Sequence, residues 1–269
     1  MKTNRTIRIG AVSYLNTKPL VYQLEAFAPH ARVSFDLPSR LADDLAAGQL
    51  DVALIPSVEY FHKSDYVILS DACIGCRGPV LSVKLLSRVP MRQIRSLALD
   101  EGSRTSVALV QILLDERYGI RPRLEPFSIG HRPDEMDTDA VLVIGDRAIH
   151  PGPSSFVHEW DLGDQWCKWS ELPFVFAMWI ARRDFADQQT EAALAAARDA
   201  GVENLRVIAA TEAASYGLSV EECESYFRDN LHFYLGERER QGLELFRRHA
   251  LQRGFVPAES PCAQTFARG

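Results

Sequence analysis

The sequence predicts an α/β protein of two lobes with a ligand cleft between them. Three observations carry that expectation. Short apolar strands alternate with helical stripes through the first half of the chain. Small polar residues gather where those strands end, the place at which open α/β sheets bind ligands. Two extended apolar segments, 79–86 and 171–180, separate the alternating units from each other and from a helical C-terminal part. A chain that crosses to a second lobe and returns explains both. The expected partition is 1–88 with 178–269 in one lobe and 89–177 in the other, and 269 residues is long for one compact domain.

The first strand is Ile7 to Val12, followed by a polar corner at Ser13, Asn16 and Thr17. Pro19 fits a first helical turn, and Leu20, Val21 and Leu24 make the stripe behind it. This corner is either a ligand site or an ordinary helix cap supplied by Ser13 or Asn16. Pro38-Ser39 opens the next helix with Ser39 as its cap, Leu41 and Leu45 on one face and Gly48 at its end. Leu50 to Ile55 reads as a strand stopped by Pro56, and Ser57, Glu59 and Tyr60 form a second corner. A short strand, Val67 to Leu69, leads into a loop holding Cys73 and Cys76, and Pro79 to Leu86 is extended.

A second unit begins at Ser96 to Leu99. Its strand feeds Gly102-Ser-Arg-Thr-Ser106 into a helix carrying Val107, Val110, Leu113 and Leu114 and closed by Gly119. Unpaired N–H groups, the helix dipole and small side chains suit a carboxylate or phosphate there, and Arg104 adds charge; a well-capped helix with a solvated Arg104 is the alternative. Asp139 to Ile144 is a buried strand ending in Gly145-Asp146-Arg147, and Pro151 to Pro153 is surface loop. Glu171 to Ile180 is extended and apolar. Beyond it, Ser219 with Glu222 makes a capping box. Cys223, Tyr226, Phe227, Leu231 and Tyr234 form a core stripe, and Glu237 to Arg240 begins a solvated helix.

Composition excludes several classes. A net charge of −6 argues against non-specific binding to nucleic acid or anionic membrane. No apolar run approaches the roughly 20 residues that span a bilayer, and no export signal is recognisable, so a cytoplasmic protein is expected. Five cysteines in such a chain do not form a disulfide framework. Cys73 and Cys76 have C-x-x-C spacing without a second pair for zinc, and Gly75, Gly78 and Pro79 put them in a loop rather than at the helix N-terminus a redox pair would want. There is no G-x-G-x-x-G, Walker loop or G-x-S-x-G. Monomer and homodimer both stay open.

Val12-Ser-Tyr-Leu-Asn-Thr-Lys-Pro-Leu20 resembles the opening signature of the chorismate dehydratase family of futalosine-route menaquinone biosynthesis. Further pieces resemble it in the same order: Ala53 to Ser57, Gly78 to Val83, Ser103 to Ser106, Ile144 to Arg147 and Leu172 to Phe176. The resemblance implies a two-lobed fold like type II periplasmic binding proteins and the loss of water from chorismate, with no cofactor and no metal. It implies catalytic hydrogen bonding by Asn16 and Ser82, with the enolpyruvyl carboxylate of the substrate itself taking the proton. The substrate-binding residues expected alongside them are Ser13, Tyr14, Thr17, Ser57, Gly78, Pro79, Ser103, Arg104, Thr105, Ser106, Gly145, Asp146 and Phe174. A solute-binding protein for a small carboxylate and the similarly folded 1,4-dihydroxy-6-naphthoate synthase are the competing readings; the Ser-Tyr-Leu-Asn form of the opening motif favours the dehydratase over the latter.

Overall fold

The computed structural model describes residues 6–150, 155–185 and 187–259, so the loop expected at Pro151 to Pro153 and the fifth cysteine, Cys262, lie outside it. In chain order the strands are β1 (Ile7–Val12), β2 (Ala31–Asp36), β3 (Val52–Pro56), β4 (Tyr66–Cys76), β5 (Val83–Ser87), β6 (Ser96–Asp100), β7 (Arg123–Phe127), β8 (Ala140–Ile144), β9 (His158–Asp161), β10 (Phe174–Arg182) and β11 (His232–Tyr234). They build a six-stranded sheet in the order β11-β4-β10-β3-β1-β2 and a five-stranded sheet in the order β7-β6-β8-β5-β9.

Each sheet has a parallel half. β1 pairs in parallel with β2 and β3, and β6 with β7 and β8. The polar corners sit where these strands end, so the parallel halves place them on the cleft side of both lobes. The antiparallel halves carry the chain between lobes. It leaves the first sheet after Cys76, joins the second at Val83, and returns at Phe174. In terms of sheet membership the chain passes between the sheets at 77–82 and 162–173 rather than at 88/89 and 177/178. Alternating apolar residues identify extended chain but not which sheet it joins.

Several local expectations change for physical reasons. Cys73 and Cys76 lie in β4, an eleven-residue strand, not in a loop. Strand periodicity puts residues three apart on opposite faces, so this C-x-x-C cannot act as a pair. Both thiols are buried, and burial pushes the Cys73 thiol well up, as expected of an inert structural cysteine. The helix Pro38–Ala46 has its cap position at Leu37, two residues before the expected Ser39, with Pro38 in the first turn. Tyr234 is a β11 residue outside the predicted stripe. In the C-terminal helix Glu237–Gln252, Glu239 is buried and held by Arg77 at 2.9 Å, although the charged run there reads as solvated.

One apolar cluster runs continuously from the first sheet through the crossings into the helix Arg104–Tyr118. Trp166, Phe174 and Phe246 pack edge-to-face within it, with centroids 5.0 to 6.2 Å apart. Gly119 ends the helix in the left-handed conformation at φ 67°, as its position in the sequence predicts.

Candidate active site

A small, partly open cavity of about 40 Å³ lies between the two sheets. The first lobe contributes Val12, Tyr14, Asn16, Pro38, Pro56, Ile74, Phe176 and Ala177; the crossing contributes Val80 and Ser82; the second lobe contributes Val83, Ser103, Ser106, Ile144 and Gly145. The ends of β1, β3, β6 and β8 thus meet. The wall is mostly apolar, and no charged residue is among those that line it. Low-dielectric surroundings make each of its few hydrogen-bond donors count for more.

Each polar lining residue is held by its neighbours. Asn16 stands in a seven-residue 3₁₀ helix, Leu15–Val21, whose cap position is Tyr14 and which has no side-chain cap. Capping is therefore not the role of Ser13 or Asn16. The Thr17 hydroxyl donates to Asn16 Oδ1 at 3.4 Å, which fixes the amide oxygen and leaves its NH₂ for the cavity. Ser82 follows Leu81, a non-glycine residue with φ 61°. Strain of this kind persists where the surroundings enforce it. Here the Asp161 carboxylate enforces it, accepting from the backbone N–H of Val80 at 3.0 Å and of Leu81 at 2.7 Å. On the other side, Ser103 caps the helix Arg104–Tyr118 by accepting from Ser106 N–H, and the two hydroxyls lie 3.1 Å apart. Serine hydroxyls and the positive end of a fifteen-residue helix face the cavity together.

Tyr14 closes the arrangement from the first lobe. A Cβ on Gly145 would stand 2.9 Å from Cε1 and Cζ of the Tyr14 ring, and one on Gly102 would stand 2.9 Å from its hydroxyl. The ring thus rests on backbone that only glycine leaves open. Burial pushes the Tyr14 hydroxyl well up, so it stays protonated.

The other residues singled out in the sequence stand around the cavity rather than in its wall. Arg104 is not in the wall and joins the lobes, with Asp43 at 2.9 Å and Glu59 at 3.2 Å. Ser57 and Thr105 satisfy each other across the lobes at 3.4 Å, with Ser57 donating to Val175 O at 2.7 Å and Thr105 accepting from Val58 N–H at 3.1 Å. Ser13 is exposed, Thr17 lies behind Asn16, and Gly78 and Pro79 belong to the crossing. Phe174 is in the aromatic cluster, and Phe176 takes the place in the wall. The reason is a register shift between Val175 and Ala177 against β4, which turns Phe176 and Ala177 towards the same cavity. Asp161, Leu81 and Phe176 went unselected in the sequence, because a bulge or a left-handed leucine has no local signature. Asp161 before Asp164 carried a weak one, as a helix cap.

Asp146 bridges the lobes as well, accepting from Leu15 N–H at 2.9 Å. Burial, set against that hydrogen bond and Lys18, still pushes its carboxyl up to about 6. A carboxyl raised on folding stabilises the folded state below its usual carboxylate range, and that contribution is lost as pH climbs towards 6. Asp146→Asn is therefore expected to raise stability at pH 7 by about 2–3 kcal/mol and to change little at pH 4. Urea midpoints at the two pH values check this; an equal effect at both would mean that the carboxyl titrates normally.

Among the described residues no group of three or more His, Cys, Asp or Glu could hold a metal ion, and no helix is long and apolar enough to cross a membrane. Residues 7–252 match the model of a family described as menaquinone biosynthesis. The chain is similar to a chorismate dehydratase of Thermus thermophilus, 32% identical over 94% of this chain and 98% of that one. Among solved structures, the alkanesulfonate-binding protein of Xanthomonas axonopodis superposes with a TM-score of 0.67 at 12% identity, covering 96% of each chain. A Candida albicans protein described as having the generic periplasmic binding protein fold gives 0.61 at 13% identity, over 96% of this chain and 92% of that one. At such identities the likeness is one of fold: two lobes about a cleft.

Proposed function

The chain belongs to the menaquinone-biosynthesis family, and from that premise we propose that it dehydrates chorismate to 3-[(1-carboxyvinyl)oxy]benzoate. The observation that supports this most is the convergence of Asn16, Ser82, Ser103 and Ser106 on one apolar cavity between the lobes. A ring C–H bond and the neighbouring C–O bond break, the proton and hydroxide leave as water, and the ring becomes aromatic. Electrons and atoms balance within the substrate, so aromatisation drives the reaction. The wall holds no carboxylate or imidazole, which suits a substrate that supplies its own base through the enolpyruvyl carboxylate. The protein then contributes placement and hydrogen bonds to developing charge. In this reading Ser103, Ser106 and the helix N-terminus receive a carboxylate, while Asn16 and Ser82 face the reacting carbons and the departing hydroxyl.

The cavity's 40 Å³ is room for a few waters, far below the size of a ligand pocket. Substrate entry therefore requires the lobes to part. The contacts of Arg104, Asp146 and Tyr14 across the cleft would break on opening and reform over the ligand, excluding water from the reaction. The buried thiols fit a reducing compartment such as the cytoplasm.

Incubation with chorismate, followed by mass spectrometry, tests the reading. The expected product is lighter than chorismate by one water and forms without added metal or nucleotide. Tight binding with intact chorismate would instead favour a solute-binding role, which the fold also serves.

A further inference from the structure

Tyr226 belongs to the C-terminal part of the chain, where its spacing with Cys223 and Phe227 reads as ordinary core. The structure buries it in the core as that spacing predicts and adds a second feature. It opens a π-helical turn, Tyr226–Asn230, directly after the capped helix Val220–Ser225. The widened turn carries the ring inward, where the side chain is 2% exposed. Its hydroxyl faces two side chains, those of Ser82 and Asn16, yet makes no well-aligned hydrogen bond to either. π-turns and buried hydroxyls lacking a good bond are both uncommon, and both concentrate where function opposes optimal packing.

We propose that Tyr226 is a positioning residue that orients both Asn16 and Ser82 for the dehydration, an inference that rests on the reaction proposed above. Asn16 Oδ1 already accepts weakly from Thr17 at 3.4 Å, and the Ser82 hydroxyl donates weakly to Val80 O, also at 3.4 Å. Burial pushes the Tyr226 hydroxyl well up, so it remains a neutral donor throughout the working range. A tyrosine hydroxyl has one proton to give and lone pairs to receive, so between these two it donates to Ser82 Oγ and accepts one N–H of Asn16, whose oxygen is already engaged by Thr17. That leaves the second Asn16 N–H and the Ser82 O–H aimed into the cavity. When substrate gives the Ser82 proton a better acceptor than the distant Val80 carbonyl, the chain Tyr226 O–H to Ser82 O–H to leaving oxygen strengthens along its length. Tyr226 is not among the residues lining the cavity, so it acts through the two that are.

Tyr226→Phe keeps the ring and removes only the hydroxyl. The expected result is a fall in kcat of about 10- to 100-fold with KM within about threefold, because orientation rather than affinity is lost. The melting temperature should hold or rise, since a poorly bonded buried hydroxyl disappears. The side-chain NH₂ resonance of Asn16, assigned by its loss in Asn16→Ala, should shift in the variant. Wild-type kcat in Tyr226→Phe, or an unmoved Asn16 resonance, would overturn the proposal while leaving the dehydratase reading intact. A wild-type protein that leaves chorismate unchanged overturns both.

Discussion

Asn16→Asp is expected to lower kcat/KM by roughly 10³-fold at neutral pH without unfolding the protein. The substitution keeps the shape of the side chain but exchanges its NH₂ donor for an anion. The cavity wall carries no cation to compensate, Arg104 being committed to Asp43 and Glu59. A substrate with two carboxylates would meet that new charge in apolar surroundings, where like-charge repulsion is weakly screened. Asn16→Ala loses the contact but adds no charge, so its loss should be smaller, about 10²-fold. A capping role would invert the order, because aspartate caps as well as asparagine and alanine does not. The structure already removes that role, since the 3₁₀ turn has no side-chain cap. The pH profile separates the causes further. An aspartate in this wall would have a raised pKa, and on protonation it becomes a donor again, so activity of the variant should recover as pH falls. Full activity of Asn16→Asp at pH 7 would exclude Asn16 from the reaction.

What the sequence conveys about this site depends on the range of the interactions that build it. The β1 corner, the Ser103 cap and the Gly145 turn were legible, because each is a strand ending in small polar residues before a helical turn. The two sheets followed from the same alternation. Arg104 shows the limit. Its residue type and place at a helix start suit an anion, yet Asp43 and Glu59, distant in sequence, neutralise it in the fold. Ser57 and Thr105 fail in the same way: small hydroxyls at strand and helix ends are as able to satisfy each other as a ligand. Phe176 was hidden by a bulge, the Leu81–Asp161 contact behind Ser82 by a left-handed leucine, and the second setting of the core residue Tyr226 by a π-turn. All three are departures from regular geometry. Periodicity assumes regular geometry, so the residues it misplaces are those that irregular backbone turns towards the cavity.

Gly145→Ala is the second variant expected to have a large effect, and it tests the closed form of the cleft. Gly145 has φ 69° and ψ −154°, a backbone region that side chains make very costly. Its N–H also donates to Ser82 O at 2.9 Å, tying the second lobe to the crossing segment beside the cavity. An added methyl would meet the Tyr14 ring at 2.9 Å, closer than carbon atoms approach. Two penalties therefore act at once. The backbone strain should cost about 1–3 kcal/mol of stability. The clash should hold the lobes apart, enlarging the radius of gyration and reducing turnover by a further factor. A second substitution separates them. Tyr14→Ala in the Gly145→Ala background removes the obstructing ring but cannot relieve the dihedral strain. The double variant should therefore regain compactness by small-angle scattering while remaining less stable than wild type, and the cycle should show an interaction between the two positions of about 1 kcal/mol or more. Strictly additive stabilities, with scattering unchanged across all four proteins, would mean that Tyr14 does not rest on Gly145 in solution and that the cleft is held shut by other contacts.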